Sequence, residues 1–129
     1  MEPIDLILPY PPSVNSYWRH PSKGRLAGRH LLSAEGRAYR EAIGWKLLRY
    51  RALNCQGPLE AVMTFYPPDY RQRDLDNVLK ALLDGLQHGG MVDNDNQFRK
   101  LTLEWGERHP GGAVHLITSD YESCPPKFP

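Results

Sequence analysis

Short apolar segments along the chain predict β-strands. Residues 4–8 form an apolar run, and residues 59–66 are rich in β-branched and aromatic side chains. Prolines follow both runs and are expected to end them, because proline cannot continue a central strand. Two further strands are expected near 99–105 and 113–119, on either side of Pro110-Gly111-Gly112. With that turn between them, the last two strands are predicted to pair as a C-terminal β-hairpin.

Apolar residues that recur at spacings of three and four predict two helices. The first begins at Ser33, a plausible N-cap, and is expected to end between 54 and 58. Its apolar stripe consists of Tyr39, Ile43, Leu47 and Tyr50. The second helix runs from about 74 to 87, with Gly89-Gly90 as its C-terminal signal. Its buried stripe is predicted to consist of Leu75, Leu79, Leu82 and Leu86.

The remaining segments are predicted to be loops. Residues 13–30 are rich in Gly, Pro, Ser, Arg and His, and compact domains seldom keep such a long loop without a functional reason. His30-Leu31-Leu32 is a candidate brief strand that returns to the sheet. At 129 residues the chain has the size of one domain, which we expect to span 1–122, with 123–129 as a loose tail. The predicted fold is α+β, a single domain with a small mixed β-sheet packed against two main helices.

The overall composition is that of an ordinary globular protein. Hydrophobic residues make up 40% and charged residues 24%, which argues against wholesale disorder. Cys55 and Cys124 share no short spacing, so neither a zinc site nor a disulfide framework is predicted. The segment Met1–Asp5 lacks the features of a signal peptide, and no apolar stretch approaches membrane-spanning length. We therefore expect a cytoplasmic protein with no membrane partner.

Charge is segregated along the chain, although the formal net charge is only +1. No acidic residue occurs between Leu6 and Ala34. The basic residues of that stretch are Arg19, Lys23, Arg25 and Arg29, accompanied by His20 and His30. A basic half beside a later acidic cluster suits a polyanion that is held by the first and cut at the second. The alternative is that these cations merely solvate a surface.

The acidic residues of greatest interest lie in two short clusters, Arg73-Asp74-Leu75-Asp76-Asn77 and Asp93-Asn94-Asp95. In helical projection Asp76, Lys80 and Asp84 share one polar stripe beside the leucines. The glycines after the helix would let the second cluster return beside the helix start. Several carboxylates in one place require a cation, and Mg²⁺ prefers such oxygen ligands together with substrate phosphate. The pattern indicates a magnesium-dependent enzyme that acts on phosphodiesters.

Each of these acids also has a structural interpretation. Asp74 could cap the helix, and Asp76 could be an exposed first-turn acid. Asp84 could pair with Lys80 across one turn, and residues 93–95 could form an ordinary polar turn. Other chemistries lack their motifs, since the sequence has no Gly-rich phosphate loop, no paired cysteines and no His-Glu-x-x-His. No organic cofactor is therefore expected.

Motifs along nearly the whole chain resemble those of the RusA-type Holliday junction resolvases of bacteria, phages and prophages. The N-terminal motif is Leu8-Pro9-Tyr10-Pro11-Pro12-Ser13 followed by Asn15, Tyr17, Arg19 and His20. The middle motifs are Ser33-Ala34-Glu35-Gly36 and Ala38-Tyr39-Arg40. The most specific combination is Arg73-Asp74-Leu75-Asp76-Asn77, Lys80-Ala81, Asp84, and Asp95 before Gln97.

The resemblance implies roles for particular residues. Its metal-binding catalytic carboxylates correspond to Asp74, Asp76 and Asp95, and its catalytic lysine to Lys80. Asp84 matches a recurrent family acid. The family usually shows two adjacent acids before the late glutamine, whereas here the first of these is Asn94. The resemblance also implies a homodimer that makes paired symmetric nicks, since a two-fold junction is matched by a two-fold protein.

The resulting hypothesis is a structure-selective DNA endonuclease that resolves four-way branched DNA, the Holliday junction, in recombination and repair. The arginines expected to grip the DNA backbone are Arg19, Arg25, Arg29, Arg71 and Arg73. Tyr17 and Trp18 could stack on opened bases or pack inside the fold. Two alternatives remain, namely a metal nuclease that acts on flaps, forks or RNA, and a non-catalytic module that only binds branched DNA.

Overall fold

Helices cover one face of a four-stranded mixed sheet in the computed structural model, which describes residues 2–50, 55–122 and 124–129. In chain order the elements are β1 (Ile4–Leu8), α1 (Val14–Tyr17), β2 (Trp18–Arg19), β3 (Leu31–Leu32), α2 (Ala34–Leu47), β4 (Leu59–Tyr66), α3 (Leu75–His88), β5 (Phe98–Trp105) and β6 (Ala113–Asp120). Short 3-10 turns occupy Leu48–Tyr50 and Asp95–Gln97. The predicted α+β class with a mixed sheet is confirmed.

Alternation along the strands separates the core from the open face of the sheet. In β4, Leu59, Ala61, Met63 and Phe65 are buried, whereas the intervening residues are half-buried or exposed. The three apolar residues of β1 at alternate positions are buried in the same way. Since side chains of a strand point alternately to opposite faces, one face of the sheet forms the core under the helices.

The pairing predicted for the last two strands is wrong, because they do not pair with each other. The strand order is β1-β6-β4-β5, so β4 lies between β5 and β6. Met63 of β4 is paired with Leu103 in the parallel strand β5 and with Leu116 in the antiparallel strand β6. β4 buries its core residues fully, whereas β5 exposes Arg99 and Lys100, charged residues of the kind that protect an edge strand.

Both predicted helices are present, with small shifts. Ser33 caps α2, because its hydroxyl accepts a hydrogen bond from the Gly36 amide at 2.9 Å. The buried stripe of α2 is Tyr39, Ile43 and Leu47; Tyr50 falls in the following 3-10 turn, and the predicted helix end partly lies outside the described residues. The buried residues of α3 are Val78, Ala81, Leu82, Gly85 and Leu86, while Leu75 and Leu79 are only half-buried.

The two helices run parallel to each other. Gly85 of α3 lies against Ile43 of α2, where an added Cβ would come within 2.9 Å of the isoleucine side chain. One turn further along, Gly89 lies against Leu47, where an added Cβ would come within 2.6 Å of the leucine Cδ1. The contacts advance in the same direction along both helices, so both begin at the same end of the molecule.

The segment predicted as a long loop contains local structure. Ser13 caps α1, and β2 pairs with β3 through Trp18 with Leu32 and Arg19 with Leu31. This pair forms a separate small sheet, so the expectation that His30-Leu31-Leu32 returns to the main sheet is wrong. Residues 18–32 are called the basic arm below. Among the described helices none has the length and apolarity needed to cross a membrane.

Candidate active site

Asp74 and Asp76 lie at the start of α3, at the end of the loop that follows β4. Asp74 occupies the N-cap position with an extended backbone (φ −97°, ψ 141°), but its side chain makes no capping hydrogen bond. Asp76 lies exposed in the first turn. Within the described ranges neither carboxylate has a hydrogen-bond or salt-bridge partner. The positive end of the helix dipole favours negative charge here, and the oxygens are available as ligands.

Lys80 is exposed on α3 one turn after Asp76, so its ammonium group is on the same side of the helix. The proposed pairing of Lys80 with Asp84 is wrong. Asp84 is engaged by Arg40 instead, with Arg40 Nε donating to Oδ2 at 2.9 Å and Nη2 donating to Oδ1 at 3.1 Å. Because Arg40 already neutralises Asp84, the positive charge of Lys80 remains available near the start of α3.

Asp84, Arg40 and Tyr17 form a network that joins the three helices. The Tyr17 hydroxyl donates to Asp84, and Arg40 Nε lies 3.0 Å from that hydroxyl oxygen. Burial, followed by the hydrogen bond to Asp84, raises the pKa of Tyr17 to about 12. Tyr17 is buried and Trp18 packs edge-on against it at 5.2 Å between ring centroids. Of the two roles considered for Tyr17 and Trp18, stacking on opened bases or packing inside the fold, these contacts support packing.

Ser33 holds the base of the basic arm. Its backbone amide donates to the Tyr17 carbonyl at 2.9 Å, and its hydroxyl donates to the same carbonyl at 2.9 Å. Gly36 must be a glycine at this crossing, because a Cβ would lie 2.5 Å from the Tyr17 carbonyl oxygen. The end of α1 and the start of α2 are therefore joined closely, and the arm between them exposes Arg19, Arg25 and Arg29.

The loop before α3 is organised by Asp69, a residue that the sequence analysis missed. Arg73 binds it with two hydrogen bonds, Nη1–Oδ1 at 2.7 Å and Nη2–Oδ2 at 3.0 Å, and the Arg71 amide donates to Oδ1 at 2.9 Å. These contacts, Arg73 first, hold the pKa of the Asp69 carboxyl well below its usual range. The side chain of Arg73 is only 16% exposed, whereas that of Arg71 is 80% exposed. Arg71, whose Nε lies 3.4 Å from Asp69 Oδ2, thus keeps most of its side chain in solvent, whereas Arg73 shapes the loop.

Two clefts flank this loop. The larger, of about 730 Å³, lies between the N-terminal segment Tyr10–Ser16, the start of α2 and the start of α3. The smaller, of about 510 Å³, lies on the other side and includes Asp74, Tyr70 and Arg108. Arg71, Gln72 and Arg73 line both clefts, and Asp74, directly after them, lines the smaller one.

Asp95 lies at the opposite end of the molecule. Its backbone amide donates to the Gln87 side chain at 3.2 Å, in the last turn of α3. Eleven residues separate Asp76 from Gln87, which is about 16 Å along a helix. β4 and β5 are parallel, so the start of α3 lies beyond the carboxyl end of one while Asp95 precedes the amino end of the other. The expectation that the second acidic cluster returns beside the helix start is wrong for a single chain, and no cluster of metal-ligating residues forms among those described.

Three known endodeoxyribonucleases are similar to this chain over nearly their whole length. The family model described as endodeoxyribonuclease RusA matches residues 9–117. The crossover junction endodeoxyribonuclease rusA of Enterobacteria phage HK97 is 35% identical over 125 residues, covering 95% of this chain and 99% of that protein. The proteins of the same name from Escherichia coli K12 and Enterobacteria phage 82 are each 36% identical over 122 residues, covering 93% of this chain and 97% of the relative. The chain belongs to the RusA family of endodeoxyribonucleases, which confirms the resemblance found in its motifs.

Proposed function

We propose that this protein resolves four-way DNA junctions as a homodimer, by hydrolysing one phosphodiester in each of two symmetry-related strands with a bound Mg²⁺ ion. The observation that carries the proposal is the pair of unpartnered carboxylates at the start of α3, beside two clefts and an exposed arginine. Family membership supports the activity, because the relatives are named crossover junction endodeoxyribonucleases.

The donor chemistry at the start of α3 fits a magnesium ion. Asp74 and Asp76 supply hard carboxylate oxygens, and Mg²⁺ is commonly held by one or two carboxylates together with substrate phosphate. Asp74 lacks the capping bond that would otherwise occupy its side chain. A divalent ion held there would polarise the scissile phosphodiester and lower the pKa of a bound water.

The third carboxylate is proposed to come from a second subunit. Asp95 lies about 16 Å along α3 from Asp76, by the residue spacing and the rise of a helix. Carboxylates that share one Mg²⁺ must place their oxygens about 2 Å from it, so the Asp95 of the same chain is too far away. A two-fold axis can place the Asp95 of each chain at the α3 start of the other, which gives two identical composite sites.

The other residues are proposed to position DNA and to stabilise charge. Lys80, one turn from Asp76, would neutralise charge that develops on the phosphoryl oxygens or orient the attacking water. Arg71 and the arginines of the basic arm, Arg19, Arg25 and Arg29, would bind flanking phosphates. Arg73 would act indirectly, by holding Asp69 and so fixing the loop in front of Asp74.

Incubation with a mobile synthetic four-way junction and Mg²⁺ tests the activity. We expect paired symmetric nicks for the wild-type protein, and retained junction binding without nicks for Asp76→Asn. A panel of flaps, forks, linear duplex and RNA distinguishes the alternative nucleases. Simultaneous loss of binding and nicking in a folded Asp76→Asn protein would argue against the assigned role. If the wild-type protein bound the junction but made no nicks with any divalent metal, the alternative of a non-catalytic module that only binds branched DNA would be favoured.

Subunit mixing tests the composite site. Asp76→Asn and Asp95→Asn are each expected to be inactive, but a heterodimer of the two would contain one site with both changes and one intact site. Random mixing gives about half heterodimers, so about a quarter of the wild-type number of sites should return. The nicks should also appear singly instead of in pairs. If each site were contained in one chain, mixing would restore nothing.

A further inference from the structure

We propose that Tyr70 and Arg108 form a stacking platform for one unpaired base of the cleaved strand, in the smaller cleft next to Asp74. The inference rests on the proposed function, since it assigns a DNA contact to the site of that reaction. It names a specificity-determining contact that neither the motifs nor the charge pattern of the sequence indicated.

Tyr70 is unusual among the aromatic residues in its exposure and position. It is 86% exposed, although it lies in the loop between β4 and α3, four residues before Asp74. A single exposed aromatic needs no explanation by itself. Here, however, the guanidinium carbon of Arg108 lies 5.1 Å from the centre of the Tyr70 ring. The two side chains thus already form a cation–π pair on the wall of a cleft that contains Asp74.

The backbone on both sides of this pair is held in place. Next to Tyr70, Asp69 is fixed by Arg73 and by the Arg71 amide. Next to Arg108, the His109 amide donates to the Pro67 carbonyl at 2.9 Å. An aromatic side chain on a backbone that is already held loses less conformational entropy when a partner stacks on it, which favours binding.

The surroundings of the platform favour a nucleotide over an apolar ligand. Arg71 and Arg73 line the same cleft, together with the indole of Trp105. The exposed guanidinium of Arg71 suits a phosphate beside a base, whereas Arg73 is bound to Asp69, and an exposed aromatic ring suits the face of the base itself. A base offers its face when it leaves the stack, which costs least where pairing is already interrupted, as it can be at the point where strands exchange. The platform would therefore help the protein to distinguish a junction from continuous duplex.

The stacking contact can be tested by photocrosslinking. A four-way junction carrying 5-iodouracil at successive positions around the branch point is bound to the full-length protein without divalent metal and irradiated. We expect a crosslink to Tyr70 at one position next to the scissile phosphate, mapped by mass spectrometry. Tyr70→Phe should keep a crosslink at residue 70, whereas Tyr70→Ala should lose it.

Affinity measurements provide the quantitative test. Tyr70→Ala is expected to weaken junction binding about 5- to 150-fold, as for the loss of one base–aromatic stack, and to change duplex binding less than about two-fold. Arg108→Ala should weaken junction binding in the same direction. The matched control is Trp45→Ala, because Trp45 is 71% exposed on α2 and lines neither cleft.

The outcomes separate this inference from the proposed function. Equal loss of duplex and junction affinity, a change of oligomeric state in Tyr70→Ala, or crosslinks that never reach Tyr70 would each overturn the platform while nicking is retained. A wild-type protein that binds no junction at all would instead overturn the proposed function and the platform with it.

Discussion

Removal of the Asp84 carboxylate should destabilise the protein through the network that joins its three helices. Asp84→Ala deletes two hydrogen bonds from Arg40, at 2.9 and 3.1 Å, and one from Tyr17. The side chains of Arg40 and Asp84 are 27% and 28% exposed, so the pair is partly screened by water. Hydrogen bonds to charged groups contribute about 1.5–3 kcal/mol each when well shielded, and exposed ion pairs contribute less than about 1 kcal/mol. Between these limits we expect a loss of about 2–3 kcal/mol.

Urea denaturation followed by circular dichroism measures this loss. With a urea dependence of about 1–3 kcal/mol per molar, the midpoint should fall by about 1 M or more. The matched control is Glu41→Ala, since Glu41 is an exposed acid next to Arg40 in sequence, and its removal should change stability by less than about 0.5 kcal/mol. A loss for Asp84→Ala no larger than that of Glu41→Ala would refute the reasoning.

The same variant should lose junction affinity more than catalytic rate. Tyr17 connects the network to the base of the basic arm, because its carbonyl accepts from the Ser33 amide and hydroxyl. Without Asp84, α1 at the base of the arm loses its hydrogen bond to α3, so we expect the arm to be held less firmly, whereas Asp74 and Asp76 should keep their positions at the helix start. Nicking rates of fully bound junction should therefore stay close to wild type. A large fall in the single-turnover rate at saturating protein would instead place Asp84 in the catalytic machinery.

Three further changes test other parts of the structure. Gly36→Ala should lower the free energy of unfolding by about 1–3 kcal/mol, measured by urea denaturation, because its Cβ would lie 2.5 Å from the Tyr17 carbonyl oxygen. Gly44→Ala has open space around the new Cβ and should raise the free energy of unfolding by about 0.5–1 kcal/mol. Equal effects of the two changes would contradict the close crossing. Lys80→Ala should lower the single-turnover nicking rate at least ten-fold with little change in junction binding, and an unchanged rate would remove Lys80 from the mechanism. The pKa of Tyr17 is raised from 10.0 to about 12. The contribution of this hydroxyl to stability is therefore complete below pH 10 and is lost as the pH rises towards 12. Tyr17→Phe should reduce the decline of the urea midpoint over that interval, and an identical decline in both proteins would contradict the network.

Local patterns in the sequence predicted the elements that depend on local chemistry. The limits of β4 follow from an apolar run between prolines, and α3 follows from its leucines and the glycines at 89 and 90. The cap of α2 at Ser33 was also predictable, since serine is a preferred N-cap residue and here precedes an apolar stripe of helical spacing. α1 was missed because a four-residue helix after two prolines has the composition of a loop.

Strand pairing could not be predicted in this way, and the error affected the site. A turn between two strands suggests a hairpin, but β4 pairs with both β5 and β6 and lies between them in the sheet. Once β4, α3 and β5 form a parallel strand–helix–strand unit, Asp95 must precede β5 at the end away from Asp76. The expectation that three aspartates meet in one chain therefore failed with the hairpin. The assignment of Asp74, Asp76 and Asp95 to one site stays a prediction, and it now requires a dimer.

A site shared between two subunits restricts how the subunits of the proposed dimer can be arranged. A two-fold axis that brings the Asp95 of one chain to the α3 start of the other brings the reverse pair together as well, so the two α3 helices must be antiparallel. The two sites would then lie about one helix segment apart, on the order of 16 Å, each beside its own basic arm and pair of clefts. Because an isolated chain holds two of the three carboxylates at one end of α3 and only one at the other, nicking should fall more steeply on dilution than the folded fraction does. A nicking rate strictly proportional to protein concentration, down to concentrations at which sedimentation shows only monomer, would contradict a shared site.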